Sequence, residues 1–195
     1  MFEWRYGFSF GGVIPGPLLD FEDAAAKASA TAYQGVYCRN LRNLIDTAHR
    51  EYGAFPCFVD IGSGKGKPCL YASLRKAYVV VRGVEFSPSL VNQANQNLSR
   101  VQPVLASRGI DLEFFCADAR EYKLPEMRCL VFMFNSFDAP SVKQFVEQNL
   151  SHFSKWDSMI AYANDKHYST IVELGFDVRF RDPIRKTSLL GYARC

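Results

Sequence analysis

The sequence has no long apolar run. Its longest, Cys129 to Phe134, is six residues, against the roughly 18–20 needed to cross a bilayer, so no membrane span is expected. No basic segment followed by an apolar stretch opens the chain; Met1-Phe2-Glu3-Trp4-Arg5-Tyr6 carries an acid there instead, and the expectation is a cytoplasmic protein. There is no CxxC pair. The cysteines at 38, 57, 69, 116, 129 and 195 lack zinc-like spacing, and most lie in or beside apolar segments, where a reduced thiol acts as a small hydrophobe. His49, His152 and His167 form no HxxxH or HxxE pair, so no metal is expected. There is little net charge. Lysine and arginine total 23 against 20 acids, and the net +3 is too small to point to a nucleic-acid partner.

What is present suits one ordinary domain: 195 residues, 48% hydrophobic and 22% charged. Residues 1–19 are rich in glycine, proline and aromatics and read as an irregular arm. Helix formers follow over Glu22–Ala32, and Leu41, Leu44, Ile45 and Ala48 recur at the spacing of an amphipathic helix ending near Gly53. Residues 1–53 are therefore expected to cover a core formed by 54–195.

In that core short apolar runs alternate with helical patterns, which predicts strands joined by crossover helices. The strands are expected at Phe58–Ile61, Tyr78–Val84, Leu112–Cys116, Cys129–Phe134, Met159–Ala163, Phe176–Arg181 and Ser188–Arg194. Helices are expected from Pro68 to Lys76, from Pro88 to about Arg100, and near Tyr168–Leu174 before a cap at Gly175. Another carries the stripe Val142, Phe145, Val146, Leu150 and Phe153, with a capping box from Ser141 and Gln144. The fold class is α/β: a Rossmann-like, mostly parallel seven-stranded sheet with an antiparallel C-terminal hairpin and a helical N-terminal cover. The basic residues Arg179, Arg181, Arg185, Lys186 and Arg194 read as the solvent face of the last strands, alternating with Val178 and Phe180.

The sharpest local feature is Val59-Asp60-Ile61-Gly62-Ser63-Gly64-Lys65-Gly66, a strand entering a glycine-rich turn ahead of a helix. Such a turn lets a ligand approach the backbone. A phosphate-binding P-loop is disfavoured, because Gly62 to Gly66 is one residue short and Pro68 replaces the magnesium-binding hydroxyl. A dinucleotide fingerprint would place its third glycine at 67, where the chain has lysine. A nicotinamide oxidoreductase on the same sheet stays open as an alternative.

The pattern acid-x-Gly-x-Gly-x-Gly resembles motif I of class I S-adenosylmethionine-dependent methyltransferases. The resemblance implies S-adenosyl-L-methionine as cofactor, with Asp60, Gly62, Ser63, Gly64, Lys65 and Gly66 around it. Glu85, 19 residues beyond Gly66, would accept from the ribose hydroxyls. Asp118 and Ala119 would read the adenine edge, and Asn135 would stand by the reacting end. Tyr33 either covers the methionine end of the cofactor or packs as part of an amphipathic segment, and Lys65 either balances a ligand carboxylate or faces water. DIGSGKG followed by GVEFSPSLVNQANQNL, a later Asp-Ala and an Asn-x-Phe triplet look like a bacterial group within the superfamily over about residues 30–165. Asn135-Ser136-Phe137 is also similar to the Asn-Asn-Phe of disruptor-of-telomeric-silencing-type lysine methyltransferases.

By this resemblance Asn135 and Phe137 would position an amine acceptor, on a protein lysine or a small molecule, with Asp138 and His167 as further candidates for proton removal; Asp138, before Ala139-Pro140, reads equally as the residue that starts a helix. A nucleobase acceptor is the remotest of the three. Ser136, where the bacterial group has proline, also leaves open a non-catalytic S-adenosylmethionine-binding or interaction protein.

Overall fold

The computed structural model describes residues 2–20, 32–75, 78–134 and 137–193. A short helix α1 (Phe2–Tyr6) and a two-residue ribbon, β1 (Val13–Ile14) paired with β2 (Tyr33–Gln34), precede α2 (Cys38–Tyr52). The core then runs β3 (Cys57–Ile61), α3 (Lys67–Arg75), β4 (Val80–Glu85), α4 (Pro88–Ser99), α5 (Gln102–Ser107), β5 (Asp111–Cys116) and β6 (Cys129–Phe134). It ends with α6 (Ala139–Gln148), α7 (Leu150–Trp156), β7 (Met159–Ala163), α8 (Tyr168–Glu173), β8 (Phe176–Asp182) and β9 (Thr187–Tyr192).

Seven strands form one sheet in the order β5-β4-β3-β6-β7-β9-β8, parallel except for β9, which is antiparallel to both neighbours. This is the expected Rossmann-like sheet with its C-terminal hairpin. The central strands are buried on both faces, which is why they read as continuous apolar runs. Strand alternation sorts their side chains. Phe58, Leu130 and Phe132 pack with Leu41 and Leu44 of α2 and Leu70 of α3, whereas Val59, Val131 and Met133 face Val142, Phe145 and Phe153 of α6 and α7. Phe8, Phe10 and Val36 are buried in the first of these layers, so the arm is packed into the same core as α2. The helix expected over Glu22–Ala32 lies outside the described residues except at Ala32.

Three details differ from the sequence reading. The stripe from Val142 to Phe153 is two helices, broken at Asn149. The Asn149 side chain accepts from Leu124 N–H (2.9 Å) and donates to Tyr122 O (3.0 Å) and Phe145 O (2.9 Å), contacts that periodicity does not encode. The cap of α6 is Asp138 rather than Ser141: the helix begins at Ala139 with Pro140 in its first turn, and the Asp138 carboxylate accepts the Ser141 N–H at 3.0 Å. Finally, Val178 is exposed, because a bulge between Val178 and Phe180 interrupts the alternation of β8. Arg179, Arg181 and Arg185 pair with Asp177, Asp165 and Asp182 respectively, so this basic stripe is largely neutralised.

His152 gives the fold a definite acid response. It is buried, and its Nε2 stands 2.8 Å from Ser158 Oγ, which itself accepts the Cys129 N–H at 2.8 Å. A neutral imidazole satisfies this contact in either tautomer, because the hydroxyl has a proton to give and a second lone pair to offer. Burial, helped by the Lys155 charge, pushes the His152 pKa down from 6.5 to about 4. The unfolded chain takes up a proton near pH 6.5 that the folded chain refuses until about 4, so stability falls as pH drops through that window. Thermal melting between pH 7 and 4 should show this decline, and His152→Gln should flatten it.

Candidate functional site

A cleft opens at the carboxyl ends of β3, β4, β5 and β6, where the chain's crossovers change direction between β3 and β6. Open α/β sheets bind ligands at that switch point. Its floor comes from the β3 end and the turn that follows, one wall from Glu85 and Phe86, another from Ala117 to Arg120, and its rim from Leu19, residues 32–36 and Phe137.

The turn after β3 is held by backbone bonds across the sheet. Gly62 and Ser63 N–H donate to Val84 O at 2.8 and 3.0 Å, and Gly66 N–H returns to Ser63 O at 2.9 Å. Gly64 and Gly66 adopt φ of +53° and +81°, where a side chain is strained. Both also lie against rings. A Cβ on Gly64 would sit 2.5 Å from Tyr33 Cε2, and one on Gly66 2.5 Å from Phe114 Cζ. Ser63 Oγ is buried in the cleft lining without a hydrogen-bond partner among the described residues.

Glu85, at the end of β4, accepts from three backbone donors: Gly64 N–H at 2.8 Å on one oxygen, Phe86 and Ser87 N–H at 2.9 and 3.0 Å on the other. It ties the glycine turn to the start of α4. Burial raises its pKa, and those three bonds offset part of the rise. Asp60 is 1% exposed, with the Cys69 thiol 3.9 Å from one carboxylate oxygen. Burial, followed by the Glu85 charge, holds its carboxyl well above the usual range. Neither acid is ion-paired among the described residues. Two buried, mutually repelling carboxyls facing one cleft suit a cationic ligand.

Asp118 is arranged differently. Its oxygens accept the Arg120 N–H at 2.8 Å, Arg120 Nε at 3.0 and 2.9 Å, and a terminal Arg120 nitrogen at 2.5 Å. Burial pushes the carboxyl up, but these bonds prevail and leave it lowered. Any ligand amine reaching Asp118 must therefore compete with Arg120 for its lone pairs.

Of the residues expected from sequence, Tyr33, Asp60, Gly62, Ser63, Glu85, Asp118, Ala119 and Phe137 line the cleft together. Gly64, Lys65 and Gly66 stand behind its floor. Lys65 Nζ donates to Gly11 O at 2.7 Å and lies 4.9 Å from the centre of the Tyr33 ring. Burial, foremost by desolvation, lowers the Tyr33 neighbour's lysine pKa, while the Tyr33 hydroxyl, raised by burial and by the Glu3, Glu85 and Asp60 charges, donates to Phe10 O at 2.9 Å. Asp138 is the cap of α6, and Asn135 and Ser136 lie outside the described residues. Sequence reasoning missed Leu19, Val36, Lys67 and Arg120 in the lining. Only Arg120, two residues beyond Asp118, carried a readable signal. Among the described residues no group of three His, Cys, Asp or Glu side chains could hold a metal ion, and no helix is long and apolar enough to cross a membrane.

Residues 59–148 match the family model of a methyltransferase domain. No curated protein sequence matches the chain. Among solved structures, a ribosomal protein L11 methylase from Lactobacillus delbrueckii subsp. bulgaricus is similar with a TM-score of 0.57 at 14% identity, over 82% of this chain and 80% of that one. The methyltransferase domain of bacterial CtHen1-C gives 0.58 at 12% identity, over 80% and 99%. A crystal structure described as a putative RNA methyltransferase from Pyrococcus horikoshii gives 0.55 at 16%, over 78% and 81%. At these identities the likeness is one of fold.

Proposed function

We propose that this chain, whose residues 59–148 match the model of a methyltransferase domain, is a class I S-adenosylmethionine-dependent methyltransferase that binds S-adenosyl-L-methionine in this cleft and methylates an amine nitrogen on a protein side chain or small molecule. The observation that carries the reading is the buried pair Asp60 and Glu85, neither of them ion-paired among the described residues, beside the Ser63 hydroxyl, which has no hydrogen-bond partner among them. Asp60, Gly62, Ser63, Glu85 and Ala119 would hold the cofactor, with Tyr33 at the rim and Asp118 available once Arg120 yields. Lys65 and Gly66 would serve by shaping the loop.

When bound, the sulfonium supplies an activated methyl group, so the protein's task is to align acceptor and donor about 3–3.5 Å apart and keep water out. Asn135 would orient the amine, with Phe137, on the rim of the cleft, packing beside it. Asp138, whose carboxylate already accepts the Ser141 N–H as the cap of α6, would orient the amine from the same side of the loop. Residues 1–53, as a cover over the core of 54–195, would confer acceptor selectivity.

Calorimetric titration tests the reading. Saturable binding of S-adenosylhomocysteine, without binding of NADH, is the expected result; NADH alone would overturn it in favour of an oxidoreductase. Asn135→Ala should then abolish methyl transfer in an unbiased acceptor screen while cofactor affinity stays within about threefold, since the loss falls on the transition state.

A further inference from the structure

Resting on the reading that the glycine-rich turn holds the donor, we propose that Asn97 is a positioning residue that couples docking of the N-terminal arm to the shape of that turn. Asn97 sits on α4, is 2% exposed and does not line the cleft. Its Oδ1 accepts the Ser9 N–H at 3.1 Å, and its Nδ2 donates to Lys65 O at 3.1 Å and to Ser9 O at 3.4 Å. One carboxamide thus grips arm and turn together, a task that needs an acceptor and two donors on one short side chain.

The remaining contacts between arm and turn follow the same seam. Lys65 Nζ reaches back to Gly11 O, Lys67 pairs with Glu3 at 2.6 Å, and the Tyr33 ring occupies the space left by the missing side chain of Gly64. The cleft face of the turn meets the ligand, and its outer face is covered by the arm. Two partners on opposite faces of one short loop are thermodynamically linked: if arm docking strengthens donor binding by some factor, donor binding strengthens arm docking by the same factor.

The test reads both directions of that linkage. In the wild-type protein, S-adenosylhomocysteine should slow hydrogen exchange at the Ser9 amide. Asn97→Ala should raise the dissociation constant for S-adenosylhomocysteine about tenfold and remove that protection. Lys65→Met, which leaves Asn97 in place but breaks the bond to Gly11 O, should weaken binding less and reduce the protection in proportion. Wild-type affinity in a folded Asn97→Ala protein, or exchange at Ser9 indifferent to S-adenosylhomocysteine, overturns the proposal. Should Asn97→Ala fail to fold, unchanged affinity in Lys65→Met overturns it instead. A wild-type protein that binds no S-adenosylhomocysteine overturns the donor reading itself, and this coupling with it.

Discussion

Gly66→Ala should lower stability by about 2–5 kcal/mol, the sum of a left-handed backbone penalty and an overpacking penalty. The backbone there has φ of +81°, and a new Cβ would meet Phe114 at 2.5 and 2.9 Å and Ala94 Cβ at 3.2 Å. For a chain of this size that corresponds to a fall in Tm of roughly 5–20 °C. The two penalties are separable. Phe114→Leu in the same protein removes the ring that is struck and leaves φ unchanged, so the double variant should recover the overpacking share and retain the backbone share. Gly83 of β4 lies under the same ring, even closer to it, in ordinary extended backbone. Phe114→Leu should therefore relieve the ring clash of Gly83→Ala with no backbone share left over, leaving the contact of the new Cβ with Ser63 Oγ at 2.9 Å. A Gly66→Ala protein melting within a degree of wild type would show that the turn is not packed as described.

Glu85→Ala should abolish measurable donor binding, a loss of at least a hundredfold in affinity, and should also cost about 3 kcal/mol of stability by leaving backbone donors unpaired. Those donors are Gly64, Phe86 and Ser87 N–H, all held by the one carboxylate. Glu85→Gln keeps the shape of the side chain and removes its charge. Its single amide oxygen can serve either Gly64 N–H or the Phe86 and Ser87 N–H pair, the NH2 then facing the other donors, and its neutrality removes the repulsion with Asp60 that helps to raise that carboxyl's pKa. It should melt below wild type and bind the cationic donor weakly. Calorimetry and melting on both variants provide the check; equal binding by Glu85→Gln and wild type would remove charge from the account of the site.

The parts of the fold that were legible in sequence are those in which local pattern and tertiary role coincide. Cys129–Phe134 and Met159–Ala163 are strands with the limits their apolar runs suggest, because burial on both faces leaves no polar residue to blur the edges. The glycine turn was legible because its backbone shape demands glycine. Asn149 was not. Its neighbours keep a helical stripe, and only a side chain reaching back to Tyr122 and Leu124 divides it. Asn97 sits in an unremarkable helical run and acquires its role from Ser9, 88 residues away. The saturation of Asp118 by Arg120 is local, yet a motif that assigns the acid to a ligand carries no information about a competing donor two residues on.

The sheet order also constrains the sequence of assembly. β9 follows β8 along the chain but lies between β7 and β8, bonded to both. During synthesis β8 therefore has no place at the growing edge until β9 has emerged, and the apolar edge of β7 stays open meanwhile. An open parallel edge of that kind is a template for pairing with other chains. The last two strands must join as a unit. Slow or interrupted production of the stretch after Asp182 would leave a nascent chain with two strands missing rather than one, exposed at its most adhesive margin.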